Sequence, residues 1–486
     1  MFWKRKPPES RRVLVALALV LGLGALLRLL MIFAWQPALM GWPDAASYVN
    51  VADGELFGNE LRPAGFPLFL RLLHELSPSL QLVVVVQHLL GLGSAALLYL
   101  AVARTGVPRA LGLLPAAIVA LGGDGIFLEH APISEALFIF CIALALYTAV
   151  RTLEGGSLLW PAACGVTLAA ATTVRVVALP LLPLLLLWLL AGAAPGLRRR
   201  VAVAAVWAAG VVAVLGTYYV AEQRAVGDAG LSRNGIWNLY GRVAPFADCS
   251  KFTPPPGTEP LCERTSRSAR PFTNQYTFNW FYSPAIRAFG DPHTASPAET
   301  AEVASFAWAV VLHQPLDYLE EVGAGLLRYV APDSLRGYGG GPSYRDLVRE
   351  PILFNRLYQA EGRKVARRYY SDVGRYESSR GLLRTLRGWE WATRIQGPLF
   401  VMLALLSLAA PMLTSGRVRA GSALFALVAW TLLVVPVATV EFSARTAVPG
   451  FGPLGAAAAV GGWRVLVAAR RALAGRRDSH AVLRPT

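Results

Sequence analysis

The stretch at residues 41–73, GWPDAASYVNVADGELFGNELRPAGFPLFLRLL, places charged side chains directly after an apolar segment long enough to cross a bilayer. Asp44 supplies a carboxylate, which can take a proton from an attacking hydroxyl or help to hold a metal ion. Arg62 supplies a planar guanidinium that matches phosphate oxygens. Both groups are expected where a lipid headgroup would arrive at the membrane surface.

Asp44 also has a purely structural interpretation. It follows Pro43 and precedes a predicted helix, and aspartate is among the most favourable N-cap residues. The sequence leaves both interpretations open.

Further charged candidates each have an ordinary alternative. Arg175 lies in an apolar stretch, where snorkelling to the interface explains it as well as phosphate binding does. Arg445 follows Glu441 by four positions, so the two could simply pair. Glu129 and His130 follow a predicted membrane helix, where they could form a polar site or be solvated at an outward helix end.

The elements that position these residues are predicted to be membrane helices. The chain has 486 residues, of which 55% are hydrophobic and 16% charged, too apolar a composition for a soluble domain of this size. A hydrocarbon layer of about 30 Å needs roughly 20 apolar residues in a helix. Ten segments approach that length: 13–35, 80–103, 110–128, 133–150, 158–174, 176–193, 201–220, 395–413, 422–440 and 448–467.

The net charge of +16 is distributed by side rather than gathered on one face, which argues against a nucleic-acid partner. Basic residues fall before the first segment and in every second loop thereafter. By the positive-inside rule, both termini and the short basic loops lie in the cytoplasm, and the other loops face outward. The basic positions are 4–6, 11, 12, 104, 109, 151, 198–200, 417, 419, 470, 471, 476 and 477.

These segments divide the chain into four parts. Residues 1–222 form an N-terminal transmembrane core with an outward loop at 36–79, 223–394 an extracytoplasmic cap, 395–468 the last membrane helices, and 469–486 a basic cytoplasmic tail. Cys249 and Cys262 lie in the cap, where an oxidising compartment permits a disulfide, and two free thiols are the alternative. The fold class is therefore an all-α polytopic membrane protein with about ten transmembrane helices and a large extracytoplasmic loop domain.

Several motifs, in order, resemble GT-C glycosyltransferases, specifically bacterial relatives of protein O-mannosyltransferases and of the lipid A aminoarabinose transferase. The resemblance covers most of the transmembrane core, and the interior of the cap has no counterpart. The motifs are PDAASYVNVADGELFGNELRPAGFPLFLRLL, VVQHLLGLGSAALLYLAVART, EHAPISEALFIFCIALALY, TTVRVVALPLLPLLL, HQPLDYLEEVGAGLL and EFSARTAVPGFGPL.

The resemblance implies an inverting transferase with Asp44 as catalytic base. It implies that the donor phosphate is bound by Arg62, Arg175 and Arg445. It also implies a second polar site, near the acceptor or a metal, formed by Tyr48, Glu129 and His130.

Two departures from the family pattern leave the substrate and metal use undetermined. Ala45 stands where the mannosyltransferases have a second acid, and Thr446 where an aromatic often follows the late arginine. No cofactor is implied with certainty; a divalent cation, Mg²⁺ or Mn²⁺, would have Asp44, Glu129 and His130 as candidate ligands.

Nucleotide sugars do not cross membranes, so an outward-facing transferase must take its sugar from a polyprenyl phosphate. The expected partners are this donor, membrane lipids, and an envelope glycan, lipid or protein that offers a hydroxyl. The alanine- and arginine-rich, lysine-poor composition favours a high-GC bacterium. The expected location is its cytoplasmic membrane, and the distribution of basic loops puts the active site on the outer side. The aromatic run at 272–282 fits sugar stacking, headgroup contact or packing within the cap.

Two other functions remain as alternatives: a transporter or flippase of lipid-linked glycans, and a catalytically silent scaffold subunit. A transporter should carry charges at mid-depth in the membrane, whereas most polar candidates here cluster at the outer boundary. The sequence lacks a P-loop, a dinucleotide fingerprint and a His-Glu-x-x-His motif, which argues against an ATP-driven pump, a nucleotide-sugar enzyme of the soluble type or a zincin.

Overall fold

Apolar α-helices make up most of the computed structural model. It describes residues 8–57, 62–192, 196–227, 230–266, 269–270, 282–292, 294–331, 343–349, 360–373 and 377–482. The aromatic run at 272–282 lies outside these residues except for Tyr282. The helices up to the cap are α1 Pro8–Ala34, α2 Pro43–Asp53, α3 Gly65–Leu76, α4 Leu80–Ala103, α5 Leu113–Leu121, α6 Gly123–Glu129, α7 Glu135–Thr152, α8 Leu159–Val174, α9 Leu181–Gly192 and α10 Leu197–Val226.

The cap and the C-terminal part continue the helical chain. Their helices are α11 Asn234–Val243, α12 Pro284–Phe289, α13 Pro297–His313, α14 Pro315–Leu327, α15 Tyr344–Arg349, α16 Ala360–Tyr369, α17 Arg380–Thr393, α18 Gly397–Met412, α19 Gly416–Thr439 and α20 Ala444–Val482. Short 3₁₀ turns occur at Arg109–Gly112, Val176–Ala178 and Glu259–Leu261, and two two-residue strands, β1 Trp35–Gln36 and β2 Glu377–Ser378, pair antiparallel.

The all-α polytopic class predicted from the sequence is confirmed. Within the described ranges, six helices are long and apolar enough to cross a bilayer, or up to eight if each of two bent helix pairs forms one span. The bent pairs are Arg109–Leu121 with Gly123–Glu129 and Arg380–Thr393 with Gly397–Met412. The fifth and sixth predicted segments coincide with two shorter apolar helices, Leu159–Val174 and Val176–Gly192, which is why the count by length is below ten.

The interruption between α8 and α9 has a local cause. Arg175 ends α8 with an extended backbone, at φ −148° and ψ 121°, and Pro180 precedes α9. The extended backbone of Arg175 interrupts the helix, and Pro180, which lacks an N–H, is tolerated because it stands at the start of α9. The turn between them places the side chain of Arg175 at the end of α8.

Small residues let the membrane helices approach closely. A Cβ added at Gly210 in α10 would lie 2.6 Å from the carbonyl oxygen of Ala162 in α8. Such close backbone contact is how helices associate in lipid, where apolar side chains gain little by leaving the solvent.

The cap has a hydrophobic core of its own. Trp237 and Tyr240 of α11 pack with Val303 and Phe306 of α13, and all four are fully buried. The structure joins Cys249 to Cys262 in a disulfide at the edge of this core, with a Cα–Cα distance of 6.0 Å. The cap is therefore a folded unit resting on the membrane helices.

Candidate active site

Asp44 lies in the first turn of α2, in the outward loop predicted to carry the chemistry. Trp42 occupies the N-cap position with an extended backbone, and no side chain caps the helix. The carboxylate of Asp44 instead accepts hydrogen bonds from Arg62 Nη2 and, at 2.7 Å, from Arg445 Nη1. The N-cap interpretation of Asp44 is therefore wrong: its side chain binds two arginines.

Arg445 connects Asp44 to a second carboxylate. It lies in the first turn of α20, and its Nε donates to Glu135 at the start of α7. Glu135 also accepts a hydrogen bond from Arg175 Nη1. The five side chains thus alternate in charge, in the order Arg62, Asp44, Arg445, Glu135, Arg175, so three arginines meet two carboxylates.

Tyr48 fixes the geometry of this cluster. Its hydroxyl donates to Ser134 Oγ at 3.2 Å, and Ser134 also accepts from Arg175 at 3.2 Å. The guanidinium of Arg62 lies 5.7 Å from the centre of the Tyr48 ring, within the range of a cation–π contact. Tyr48 is 4% exposed, so it is a packed support of the cluster.

The arginines control the ionisation of Asp44. Burial alone would raise the pKa of its carboxyl group, but the positive charges of Arg62 and Arg445 outweigh burial and hold the pKa well below its usual range. Asp44 is therefore ionised at neutral pH.

A cavity of about 320 Å³ borders the cluster. Asp44, Arg62 and Arg175 line it. Its lining also includes apolar side chains of the membrane-spanning helix α19, among them Leu432 and Val435. A cavity lined by charged and by apolar side chains within the membrane bundle fits an amphiphile with an anionic head.

The structure brings together five of the sequence candidates, Asp44, Tyr48, Arg62, Arg175 and Arg445. Glu129 and His130 do not join them: neither lines the cavity beside Asp44.

Glu129 and His130 belong to a separate buried network with Arg28 and His88. Glu129 accepts from Arg28 Nη2 at 2.7 Å, and its other oxygen lies 2.8 Å from His88 Nδ1. His88 Nε2 lies 3.1 Å from His130 Nδ1, and His130 Nε2 lies 2.7 Å from the carbonyl oxygen of Trp35. Interpreting the two residues as a solvated helix end is wrong, because they are 4% and 0% exposed. Their role near an acceptor stays a prediction.

Gly91 of α4 makes room for this network. A Cβ at Gly91 would collide with the carboxylate of Glu129 and would lie 2.8 Å from Arg28 Nη2. Burial lowers the pKa of His130 to about 3, and the nearby charge of His88 adds to the effect. His130 is therefore neutral at neutral pH.

The three candidate metal ligands do not lie together in one site. Both carboxylate oxygens of Asp44 already accept from arginines, and Glu129 and His130 belong to a different network. Within the described ranges, no group of three or more His, Cys, Asp and Glu side chains could hold a metal ion.

Two charged residues of these clusters were not predicted from the sequence. Glu135 follows Ser134 at a helix start, where an acid is routinely explained by the helix dipole. Arg28 lies within the first apolar segment. Its charge could have identified it as a candidate functional residue, because charged residues are rare inside membrane-spanning helices. Glu135 brings a second carboxylate to the cluster from α7.

The chain has similar proteins among solved structures. No family model matches the chain, and no curated protein matches it. Among solved structures, the chain is similar to the apo crystal structure of the Archaeoglobus fulgidus oligosaccharyltransferase, with a TM-score of 0.47 and 12% identity over 100% of this chain and 53% of that chain.

Two further structures are similar. One is the archaeal oligosaccharyltransferase AglB from Archaeoglobus fulgidus in complex with an inhibitory peptide and a dolichol-phosphate (TM-score 0.45, 12% identity, 98% of this chain and 52% of that chain). The other is the Archaeoglobus fulgidus enzyme tethered to an acceptor peptide (TM-score 0.45, 11% identity, 92% and 49%). The chain spans about half the length of these proteins.

Proposed function

We propose that this protein is an inverting membrane glycosyltransferase that moves a sugar from a polyprenyl phosphate to a hydroxyl of a cell-envelope glycan, lipid or protein. The observation that carries the proposal is the ion-paired carboxylate of Asp44 in the lining of a cavity that also has apolar lining residues. The arginines can bind an anionic phosphate, the apolar lining can hold a prenyl chain, and the carboxylate can act as the catalytic base.

The donor phosphate would bind at Arg62 and Arg175. Both side chains are 19% exposed, whereas Arg445 is more deeply buried between its two carboxylates. The phosphate leaves as an ionised group, so it requires positive charge and not a general acid. Preorganised guanidinium groups provide that charge before the reaction begins.

The acceptor hydroxyl would be deprotonated by Asp44. In one displacement, the acceptor oxygen bonds to the anomeric carbon, the bond from that carbon to the phosphate oxygen breaks, and the hydroxyl proton passes to Asp44. The configuration at the anomeric carbon is inverted. A glycosidase would need two opposed carboxyl groups flanking the bond, whereas the Glu135 side chain is 1% exposed and does not line the cavity beside Asp44.

Donor binding would also activate the base. In the free protein, Arg62 and Arg445 stabilise the ionised form of Asp44 and make it a weak base. A phosphate that engages Arg62 shares its charge, so the pKa of Asp44 rises toward its usual value and the carboxylate accepts a proton more readily. No step requires a metal ion.

Transport of lipid-linked glycans is the second candidate. The buried charges of Arg28 and Glu129 lie within membrane helices, as expected of a transporter. They are paired with each other, however, and the cavity beside Glu129 measures about 40 Å³, too small for a sugar. The geometry therefore favours the enzyme.

The experiment reconstitutes the full-length protein in vesicles with a labelled polyprenyl-phosphate sugar and an envelope extract as acceptor. Asp44→Asn should reduce transfer by on the order of 100-fold or more, the usual loss for a catalytic base. Asp53→Asn, at the exposed end of the same helix, is the matched control. Unchanged transfer by Asp44→Asn at an equal protein level would refute the proposal. The same vesicles, assayed for movement of labelled lipid without acceptor, test the transporter.

A further inference from the structure

A second cavity with a strongly basic lining lies between α15 and α17 and extends to Arg394, in the turn between α17 and α18. Its volume is about 630 Å³, and none of its lining residues borders the cavity beside Asp44. The side chains that define it are Arg345, Arg384, Arg387, Glu390, Trp391 and Arg394.

The charges of this basic cavity are poorly compensated. Arg394 pairs with Glu390, but within the described ranges Arg345, Arg384 and Arg387 have no carboxylate partner. Arg384 and Arg387 are three positions apart on α17, so they lie on one face of the helix. Like charges held together repel, and an anionic ligand would relieve that repulsion.

The fold holds these arginines in place. α17 buries Leu383 and Leu386 against the protein, and the backbone of Glu390 lies so close to Gly123 that a Cβ there would collide with it. Tyr344, next to Arg345, is buried, and its hydroxyl contacts Met31 Sδ of α1 at 3.7 Å. The positions of the arginines along the cavity are therefore set by packed neighbours.

An apolar groove begins at the same turn of the chain. It has a volume of about 580 Å³ and is formed by α5, α18 and α20, with Leu114, Ile118, Leu399, Met402, Gly462 and Leu466 among its lining residues. Thr393 and Ile395 line the groove, and Arg394 between them lines the basic cavity. Along the 3₁₀ turn Arg109–Gly112 and α5, the groove runs from Ala110 to Gly122, about 18 Å at helical rise.

We propose that the basic cavity and the apolar groove together bind one membrane lipid with a phosphate-bearing headgroup of net negative charge. The headgroup would occupy the cavity among the arginines, and an acyl chain would lie in the groove. Trp391 is 73% exposed beside the arginines, a residue type that favours the membrane interface. This lipid site is separate from the proposed donor site and does not depend on the proposed transfer reaction.

The test is native mass spectrometry of the full-length protein in neutral detergent. The protein is titrated with phosphatidylglycerol and with phosphatidylcholine of the same acyl chains. The wild type should bind phosphatidylglycerol on the order of tenfold more tightly. The double variant Arg384→Gln/Arg387→Gln should lose this preference. Arg470→Gln/Arg471→Gln removes two exposed charges from α20 and should keep it.

Two further variants separate a lipid site from a site for free phosphate. Gly462→Leu adds a side chain to the groove wall, where a Cβ makes only ordinary contact, 3.5 Å from Leu406, and it should weaken phosphatidylglycerol binding but not the binding of inorganic phosphate. Arg345→Gln, on a different helix, should reduce both. Equal binding of the two lipids, an unaltered preference in the Arg384/Arg387 variant, or no effect of Gly462→Leu would overturn the proposal.

Discussion

Arg445 and Asp44 lie 401 positions apart in the chain and form an ion pair of 2.7 Å. The contact ties the last membrane helix to the segment that follows α1. Because Arg445 simultaneously binds Glu135, it also joins this segment to α7. One guanidinium therefore holds three separate parts of the chain at the candidate active site.

Arg445→Gln should destabilise the protein and abolish transfer. The change removes the positive charge between the buried carboxylate of Glu135 and the partly buried carboxylate of Asp44, and breaking a buried pair typically costs about 3–5 kcal/mol. Thermal unfolding in detergent and the vesicle assay measure the two effects. Arg470→Gln, on an exposed part of the same helix, should change neither. A stable Arg445→Gln protein with normal transfer would show that the bridge is dispensable.

Arg62→Gln should alter the pH dependence of transfer. Arg62 is the strongest of the charges that hold the pKa of Asp44 low, so its removal should move that pKa upward toward the usual value near 3.8. The acid limb of kcat/KM, which reports the free enzyme, should then shift to higher pH. Measurements of kcat/KM between about pH 3.5 and 8, with the labelled product quantified directly, would reveal the shift. Coincident profiles for the two proteins would contradict this account of the base.

Arg175→Lys should raise the donor KM with a smaller effect on kcat. Lysine keeps the charge but lacks the planar fork that binds Glu135, Ser134 and a phosphate together, and we expect a loss of about tenfold in donor affinity. Steady-state kinetics with varied donor at saturating acceptor test this. A change confined to the acceptor KM would show that Arg175 acts in acceptor binding and not in donor binding.

The buried network around His130 should make stability depend on pH. Its pKa of about 3 in the folded protein lies below the usual 6.5, so between these values the unfolded chain binds more protons. Stability should therefore fall as pH decreases from about 6.5 toward 3, by up to about 1.4 kcal/mol per pH unit. Unfolding midpoints at several pH values measure the slope. His130→Gln should flatten it; an equal slope in the variant would assign the effect to other groups.

The cap should depend on its disulfide. The bridge closes a loop of 13 positions, for which the chain-entropy estimate is about 3 kcal/mol. Reductant should lower the unfolding temperature of the wild type but not that of Cys249→Ser/Cys262→Ser, which starts lower. Cys141→Ser, at a free cysteine of α7, should respond to reductant as the wild type does.

The sequence predicted the class of the fold well because bilayer thickness imposes a length that composition reveals locally. It predicted four charged members of the cluster, Asp44, Arg62, Arg175 and Arg445, because charges beside apolar segments stand out. The contacts among them could not be predicted from the sequence, because the partners are up to 401 positions apart. The N-cap alternative for Asp44 was wrong for the same reason: a local pattern does not contain a remote arginine.

Glu129 and His130 show that a position at a helix end does not establish exposure to solvent. Their position after an apolar segment indicated solvent, whereas the bend between α5 and α6 turns them inward against α1 and α4. Glu135 was missed because an acid at a helix start has an ordinary local explanation. In both cases the deciding factor is the packing of neighbouring helices, which spacing along one segment does not encode.

The pairing of Arg28 with Glu129 has a consequence for biogenesis. The two residues are 101 positions apart, so during synthesis the first helix is made well before its counter-ion emerges. An arginine alone in hydrocarbon is costly. We therefore expect the first segment to stay near a hydrated interface, or at the insertion machinery, until α6 has been made. Gly91 of α4 then leaves room for the two charges to pair.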